Sequence, residues 1–179
     1  MGLKDSATAS NGDKLQIKQT LKYAKDLATA QRAKNKQRVK AIHAKIKNTR
    51  QDLIHKFTTQ LVKANALIVV GDVKTTQFNS KKGKLAKSVN DAGWFELKRQ
   101  LIYKCENAGC RFEIVNERYT TQTCSCCGDT SSSPKGRAGL GIREWTCAKC
   151  GTWHDRDINA SRNILAVGLD RLVEAIPER

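Results

Sequence analysis

The chain has 179 residues, of which 33 are Lys or Arg and 17 Asp or Glu, giving a formal charge of +16 and a sequence pI near 9.8. Such an excess points to a polyanionic partner, nucleic acid foremost, over a small acidic substrate. With 39% hydrophobic residues the length allows one ordinary core and a small satellite. No apolar stretch approaches the roughly 18 to 20 residues that cross a bilayer, and residues 1–13 carry no charged-then-apolar leader, so a cytoplasmic address is expected.

Residues 4–17 read as two short strands joined by a turn at Asn11-Gly12, so that the chain opens in the middle of a sheet. Residues 20–64 contain neither Pro nor Gly, and Val39, Ile42, Ile46, Leu53, Phe57 and Leu61 recur at helical intervals, predicting one long helix or a helical hairpin. From Lys14 to Lys63 there are 14 Lys or Arg against two acids, which places most of the net charge on this segment. Lys22, Lys25, Arg32, Lys34, Lys36, Arg38, Lys40, Lys45, Lys47 and Arg50 are therefore the candidate phosphate-tracking residues. His43 and His55 lie on the same helices and need no metal. Residues 66–70 (ALIVV) form a continuous apolar run suited to a strand buried on both faces. A basic loop is expected over 75–87, then a helix over 88–104 capped by Ser88 with Val89, Trp94, Leu97 and Leu101 inward. Residues 111–115 (RFEIV) read as a strand, 131–141 as a flexible tip, and the stretch from Ile158 to about Pro177 as a last helix. Trp94, Trp145 and Trp153 are expected to pack in the core and the ribbon rather than to stack on bases.

Seven cysteines in a reducing compartment read as metal ligands plus free thiols, not as a disulfide framework. Cys124, Cys127, Cys147 and Cys150 form two C-x-x-C knuckles separated by 19 residues, the spacing of a tetrahedral, structural Zn²⁺ site with no position left open for water. Cys105, Cys110 and Cys126 are left over, a C-x-C bite being poor knuckle geometry. Directly after the second knuckle come His154, Asp155, Arg156, Asp157, Ile158 and Asn159. An acid between a rigid ribbon and a helix is well placed to hold a second, catalytic metal.

Residues 119–128 (YTTQTCSCCG), 145–151 (WTCAKCG) and 154–164 (HDRDINASRNI) resemble the carboxy-terminal part of the TnpB (OrfB) proteins of bacterial insertion sequences. The similarity extends upstream through 71–73 (GDV) and 86–94 (AKSVNDAGW) to 2–7 (GLKDSA). This resemblance implies an α/β fold: an RNase H-like (RuvC) mixed sheet over residues 1–118 and 155–176, with basic helices at 20–64. A target-nucleic-acid-binding zinc ribbon would be inserted at 119–154. It implies a Mg²⁺-dependent, RNA-guided DNA endonuclease with DNA and a guide RNA as partners. A transposase that joins DNA ends through a DDE triad finds no matching pattern.

The family's chemistry asks for three carboxylates holding two Mg²⁺ ions. The third falls on Asp157, with Asp155 the weaker candidate and a helix cap the competing role for Asp157. The second is a departure, because the buried strand ends in Gly71-Asp72 instead of Glu-Asp; Glu117, just before the ribbon, is the first choice over Asp72, whose side chain should face the other way. The first would lie one residue before Met1, and Asp5 is assigned a turn or surface role. On this reading the chain resembles an amino-terminally truncated family member that binds nucleic acid and cleaves poorly, the alternative being a non-catalytic zinc-ribbon nucleic-acid-binding module.

Overall fold

The computed structural model describes residues 5–18, 22–72, 92–136 and 138–174. The predicted hairpin forms: β1 (Ala7–Thr8) pairs antiparallel with β2 (Lys14–Leu15), Ala7 opposite Leu15, and Asn11 fixes the turn by accepting from the Asp13 amide at 3.0 Å. Among the described residues, however, this ladder is not bonded to the other strands. Among the described residues the expected opening in the middle of a sheet is therefore not seen, and the backbone groups of Ala9 close the turn on Gly12 and Asp13.

The basic segment is a helical hairpin, α1 (Ala24–Arg32) and α2 (Lys36–Ala64). Its break carries no Gly or Pro; Lys34 adopts a φ of 53° and Asn35 caps α2 by accepting from the Arg38 amide at 2.9 Å. At 29 residues α2 is about 44 Å long, and it serves two cores. Its first half packs Ile42 and Ile46 on Ala30, with Tyr23, Leu27 and Val39 around them. Its second half sends Ile54 and Val62, flanked by Leu53, Phe57 and Leu61, into the main core.

That core is built on a βαβ unit: β3 (Leu67–Gly71), α3 (Trp94–Ala108) and β4 (Arg111–Val115), the two strands paired parallel with Leu67 opposite Arg111. Ile68 and Val70 face Leu97, Leu101 and Cys105 on one side. Val69 faces the last helix, α4 (Arg156–Glu174), on the other. Coverage on both faces explains why residues 66–70 are apolar without alternation. Gly168 is what lets α4 come so close, because a Cβ there would lie 2.4 Å from Val69 Cγ2. Arg171 of α4 donates to the Ile114 carbonyl at 3.1 Å. The hairpin is tied in by Trp94, whose indole N–H donates to the Ser6 carbonyl at 3.0 Å. Trp94, Leu97 and Leu101 are buried as expected; the basic loop, the Ser88 cap, Val89 and Pro177 lie outside the described residues. Between β4 and α4 the chain forms a ribbon with a 3-10 turn (Ala138–Gly141) and an antiparallel pair, β5 (Glu144–Thr146) and β6 (Trp153–Asp155). No helix among the described residues is long and apolar enough to cross a membrane.

Candidate functional site

The two knuckles are built alike. Each closes with the amide of its final glycine on the carbonyl of its first cysteine, Gly128 on Cys124 at 2.9 Å and Gly151 on Cys147 at 2.8 Å. Both turns thereby aim two sulfurs at one point, and all four Sγ atoms lie within 4.8 Å of one another. The Cys124–Cys150 and Cys127–Cys147 separations are each 3.7 Å. A tetrahedral ion with metal–sulfur bonds of about 2.3 Å requires sulfurs about 3.8 Å apart, so the quartet fits such a group. Hydrogen bonding with Thr152 brings the Cys150 thiol down to about 6, towards the ligating thiolate, whereas burial pushes Cys124 up. Cys126 is exposed and stands outside the quartet. Cys105 and Cys110 sit in the main core, where burial pushes Cys105 up to about 12.

His154, which no sequence pattern had marked for a role beside the metal, reaches the quartet. Its Nε2 is 3.0 Å from Cys124 Sγ, and its ring is buried against Trp145 with centroids 4.7 Å apart. A thiolate can only accept, so against a ligating Cys124 the imidazole donates. Trp145 thus packs in the ribbon as expected, but Trp153 is 59% exposed, which corrects the expectation for that residue. Strand alternation is the reason: in β6 His154 points inward and Trp153 outward.

The ribbon is fastened to α4 by two asparagines. Asn159, 1% exposed, accepts from the Ser125 amide at 2.9 Å and donates to the carbonyls of Thr120 and Thr123. Asn163, one turn on, donates to the same two carbonyls at 2.8 and 2.7 Å. Neither was singled out from sequence; their i, i+4 spacing on one helix face next to the knuckles was the available signal.

The helix cap is Asp155, not Asp157. Asp155 Oδ1 accepts from the amides of Asp157 and Ile158 at 2.9 and 3.1 Å, and Oδ2 meets Lys14 Nζ at 2.9 Å. Partial burial pushes the Asp155 carboxyl up, but Lys14 and the two amides outweigh it and hold the group below its ordinary range. The same hydrogen bond raises Lys14, which also feels Asp5 and Asp157. Asp157 is left with Arg143 at 3.4 Å and is half-buried in the first turn of α4.

Glu117 lies over Gly71. A Cβ built on Gly71 would be 2.6 Å from Glu117 Oε2 and 3.2 Å from Ile164 Cδ1 of α4. The end of β3 lacks a side chain on its α4 face, and the Glu117 carboxylate fills that space. Asp72 is exposed on the opposite side, 3.4 Å from Lys98 of α3. Asp5 is 5% exposed and accepts from Gln16 Nε2 at 2.6 Å, a buried position where a turn or surface role was expected. It is buried because Leu15 and Trp94 close over the hairpin next to it, bonding both backbone groups of Ser6. Among the described residues the cysteine quartet is the sole group of three or more metal-binding side chains.

Of the ten candidate phosphate-tracking residues, nine are exposed and Arg50 is half-buried. Lys22 and Lys45 approach the Tyr23 ring at 5.9 and 5.3 Å from its centroid, which binds the cationic surface to the satellite core between α1 and α2.

Comparison with known proteins assigns this architecture relatives. Residues 94–164 match the family model "Cas12f1-like, TNB domain", and residues 3–81 match the OrfB_IS605 model, described as "Probable transposase". The chain is 41% identical over 142 residues to a proposed RNA-guided DNA endonuclease of Streptomyces pristinaespiralis, covering 79% of this chain and 34% of that protein. It is 32% identical over 149 residues to InsQ of Escherichia coli (strain K12), a protein described in the same terms, covering 75% and 36%. The chain therefore spans about a third of the length of these relatives. The fold also matches that of Cas12f1 in a cryo-EM complex with sgRNA and target DNA, with a TM-score of 0.65 and 17% identity over 91% of this chain and 47% of that one.

Proposed function

The chain belongs to the TnpB/OrfB family of insertion-sequence proteins, and from that premise we propose that it acts as the RuvC-like and zinc-ribbon part of an RNA-guided DNA endonuclease in transposition. Its partners on this reading are DNA and a guide RNA. The observation that carries it is the seam at α4: Asn159 and Asn163 hold the four-cysteine ribbon against the helix whose first turn carries Asp157. Glu117, just before the ribbon, lies over Gly71 where that helix meets β3. The four thiolates take Zn²⁺, a borderline-soft ion that accepts four sulfurs without redox chemistry. The exposed cations of α1 and α2 track the phosphate backbone.

Mg²⁺ fits less well. Among the described residues only the cysteine quartet groups three or more metal-binding side chains, so Glu117 and Asp157 are proposed as Mg²⁺ ligands on the family resemblance alone. The end of β3 carries Gly71-Asp72 where the family pattern has Glu-Asp, and this departure is what favours, as the second reading, a module that holds nucleic acid without cutting it.

Binding and cutting separate in one set of measurements. The 179-residue protein should bind a labelled oligonucleotide with an affinity that falls linearly with salt on logarithmic axes. Neutralising Lys36, Lys40 and Lys47 together should reduce that slope by about one unit for each phosphate they had neutralised. A salt-independent affinity would sink the nucleic-acid reading. Cleavage in Mg²⁺, abolished by Asp157→Ala, would overturn the non-catalytic alternative.

A further inference from the structure

We propose that His154 is a positioning residue of the metal ribbon: its imidazole donates to the Cys124 thiolate, which steadies that sulfur on the ion and ties the ion to the turn presenting Asp157. This rests on the reading above in one respect, that the quartet holds a metal ion, and stands whether or not the chain cleaves DNA.

The sulfur it serves is one that water does not reach. Cys124 and Cys147 are 1% and 0% exposed, whereas Cys150 is exposed and has the Thr152 hydroxyl 3.3 Å away. Four thiolates around a divalent ion leave excess negative charge on the site, and a buried anion costs free energy unless hydrogen-bond donors meet it. His154 Nε2, 3.0 Å from Cys124 Sγ and on a residue only 3% exposed, is such a donor. Nε2 bears a proton in the imidazolium and in one of the two neutral tautomers, so the bond does not depend on the charge of the ring.

The strand pair delivers the ring. Trp145 lies opposite His154 in the β5–β6 pair, and the two rings meet with centroids 4.7 Å apart and planes at 35°. Packing against the indole thus orients the imidazole, while the nitrogen meets the sulfur. A phenyl ring would keep the first contact and lose the second.

His154 also ties two parts of the ribbon together. It bonds Cys124, and Asn159, further along the chain, accepts from the amide of Ser125, the next residue of the same knuckle. Residues 154–159, with the Asp155 cap and Asp157 between, are thus pinned at both ends to neighbouring residues of one knuckle. Asn159 grips backbone, whereas His154 grips a metal ligand. Occupancy of the quartet therefore reaches Asp157 through His154, because a sulfur held by its ion gives the imidazole a fixed acceptor.

The test compares the wild-type protein with His154→Phe, which keeps a ring against Trp145 without a donor, and His154→Gln, whose amide N–H reaches as far as Nε2. Zinc affinity, measured by competition with a chromophoric chelator, should fall about tenfold or more in His154→Phe and largely recover in His154→Gln. In the Co²⁺-loaded proteins the sulfur-to-metal charge-transfer band should move to longer wavelength in His154→Phe, because a thiolate without its N–H donor gives up an electron more readily, and return in His154→Gln. Amide protection at Asp157 and Ile158 in the metal-loaded proteins should follow the same order. A His154→Phe protein with the wild-type band and affinity would overturn the proposal. So would a His154→Gln protein no better than His154→Phe, since ring shape and not the N–H would then matter. Unchanged protection at Asp157 in His154→Phe would overturn the tie to that residue. If a variant does not fold, wild type loaded with NMR-active cadmium decides the matter: a His154 Nε2–H proton coupled to the metal through Cys124 is expected, and its absence would overturn the donation. A wild-type protein that takes up none of these ions would overturn the metal reading itself.

Discussion

Asp155 and Asp157 are two residues apart and chemically identical, yet their surroundings give them different work. Both Asp155 oxygens are committed, one to two helix-terminal amides and the other to Lys14 at 2.9 Å. Asp157 keeps its carboxylate apart from one long contact to Arg143. Removing the cap with Asp155→Ala should cost about 1 kcal/mol, read as a lower thermal midpoint, with the ribbon's metal content unchanged. The pH dependence has two edges. The Asp155 carboxyl is lowered in the folded state, so its stabilisation is complete above the unfolded value near ~3.9 and is lost as pH falls through the folded one. Lys14 is raised, so its stabilisation is complete below about 10.4 and is lost as pH rises through its folded value. The stability gap between wild type and Asp155→Asn should therefore be flat through neutral pH and close below about pH 4, as followed by urea unfolding. A gap that widens in acid would contradict the arrangement. Sequence supplied both candidate acids here and ranked Asp157 first. It could not tell which oxygen meets Lys14, because that partner lies 141 residues away along the chain.

At the scale of elements, α4 and β3 press closely on one another. Gly168→Ala would set a methyl 2.4 and 2.6 Å from the two Val69 methyls, so helix and strand must separate. The expected penalty is about 1–3 kcal/mol, measured by denaturant unfolding, and Val69→Ala in the same chain should recover part of it by making room. A fully additive double mutant would mean that the two residues do not press on one another. The hairpin of α1 and α2 shows where sequence patterning loses resolution. Val39, Ile42 and Ile46 keep helical spacing across a stretch without Gly or Pro, so the register is plain and the break is not. Lys34, in a left-handed conformation, and the Asn35 cap mark it, and a single Asn in a run without Gly or Pro is too weak a signal to place a break. Strands were easier to read, since residues 66–70 and 111–115 became β3 and β4. Their pairing with each other, apart from the amino-terminal hairpin, is a long-range outcome that no local pattern encodes.

Over the whole molecule, a core of βαβ unit and flanking helices meets a ribbon with almost no core of its own, Trp145 being its one buried large side chain, among the described residues, besides the cysteines and His154. The ribbon should therefore fold with its metal. A strong chelator is expected to remove one zinc equivalent and to abolish amide protection in the ribbon and the first turn of α4, while β3, β4 and α3 stay protected. Loss of protection throughout would show that the metal supports the core as well; no loss anywhere would exclude a structural ion. What sequence determined by itself is whatever is written in local spacing or composition: the two knuckles and their four sulfurs, the basic helical segment, the buried strand, and the family to which their order belongs. Tertiary structure alone decided that Glu117 fills the space over Gly71, that Asp155 is the cap, and that Trp153 stands in water while Trp145 does not. The reason is physical. Spacing along a chain fixes which face a side chain takes, but what meets that face is set by packing between segments far apart in sequence.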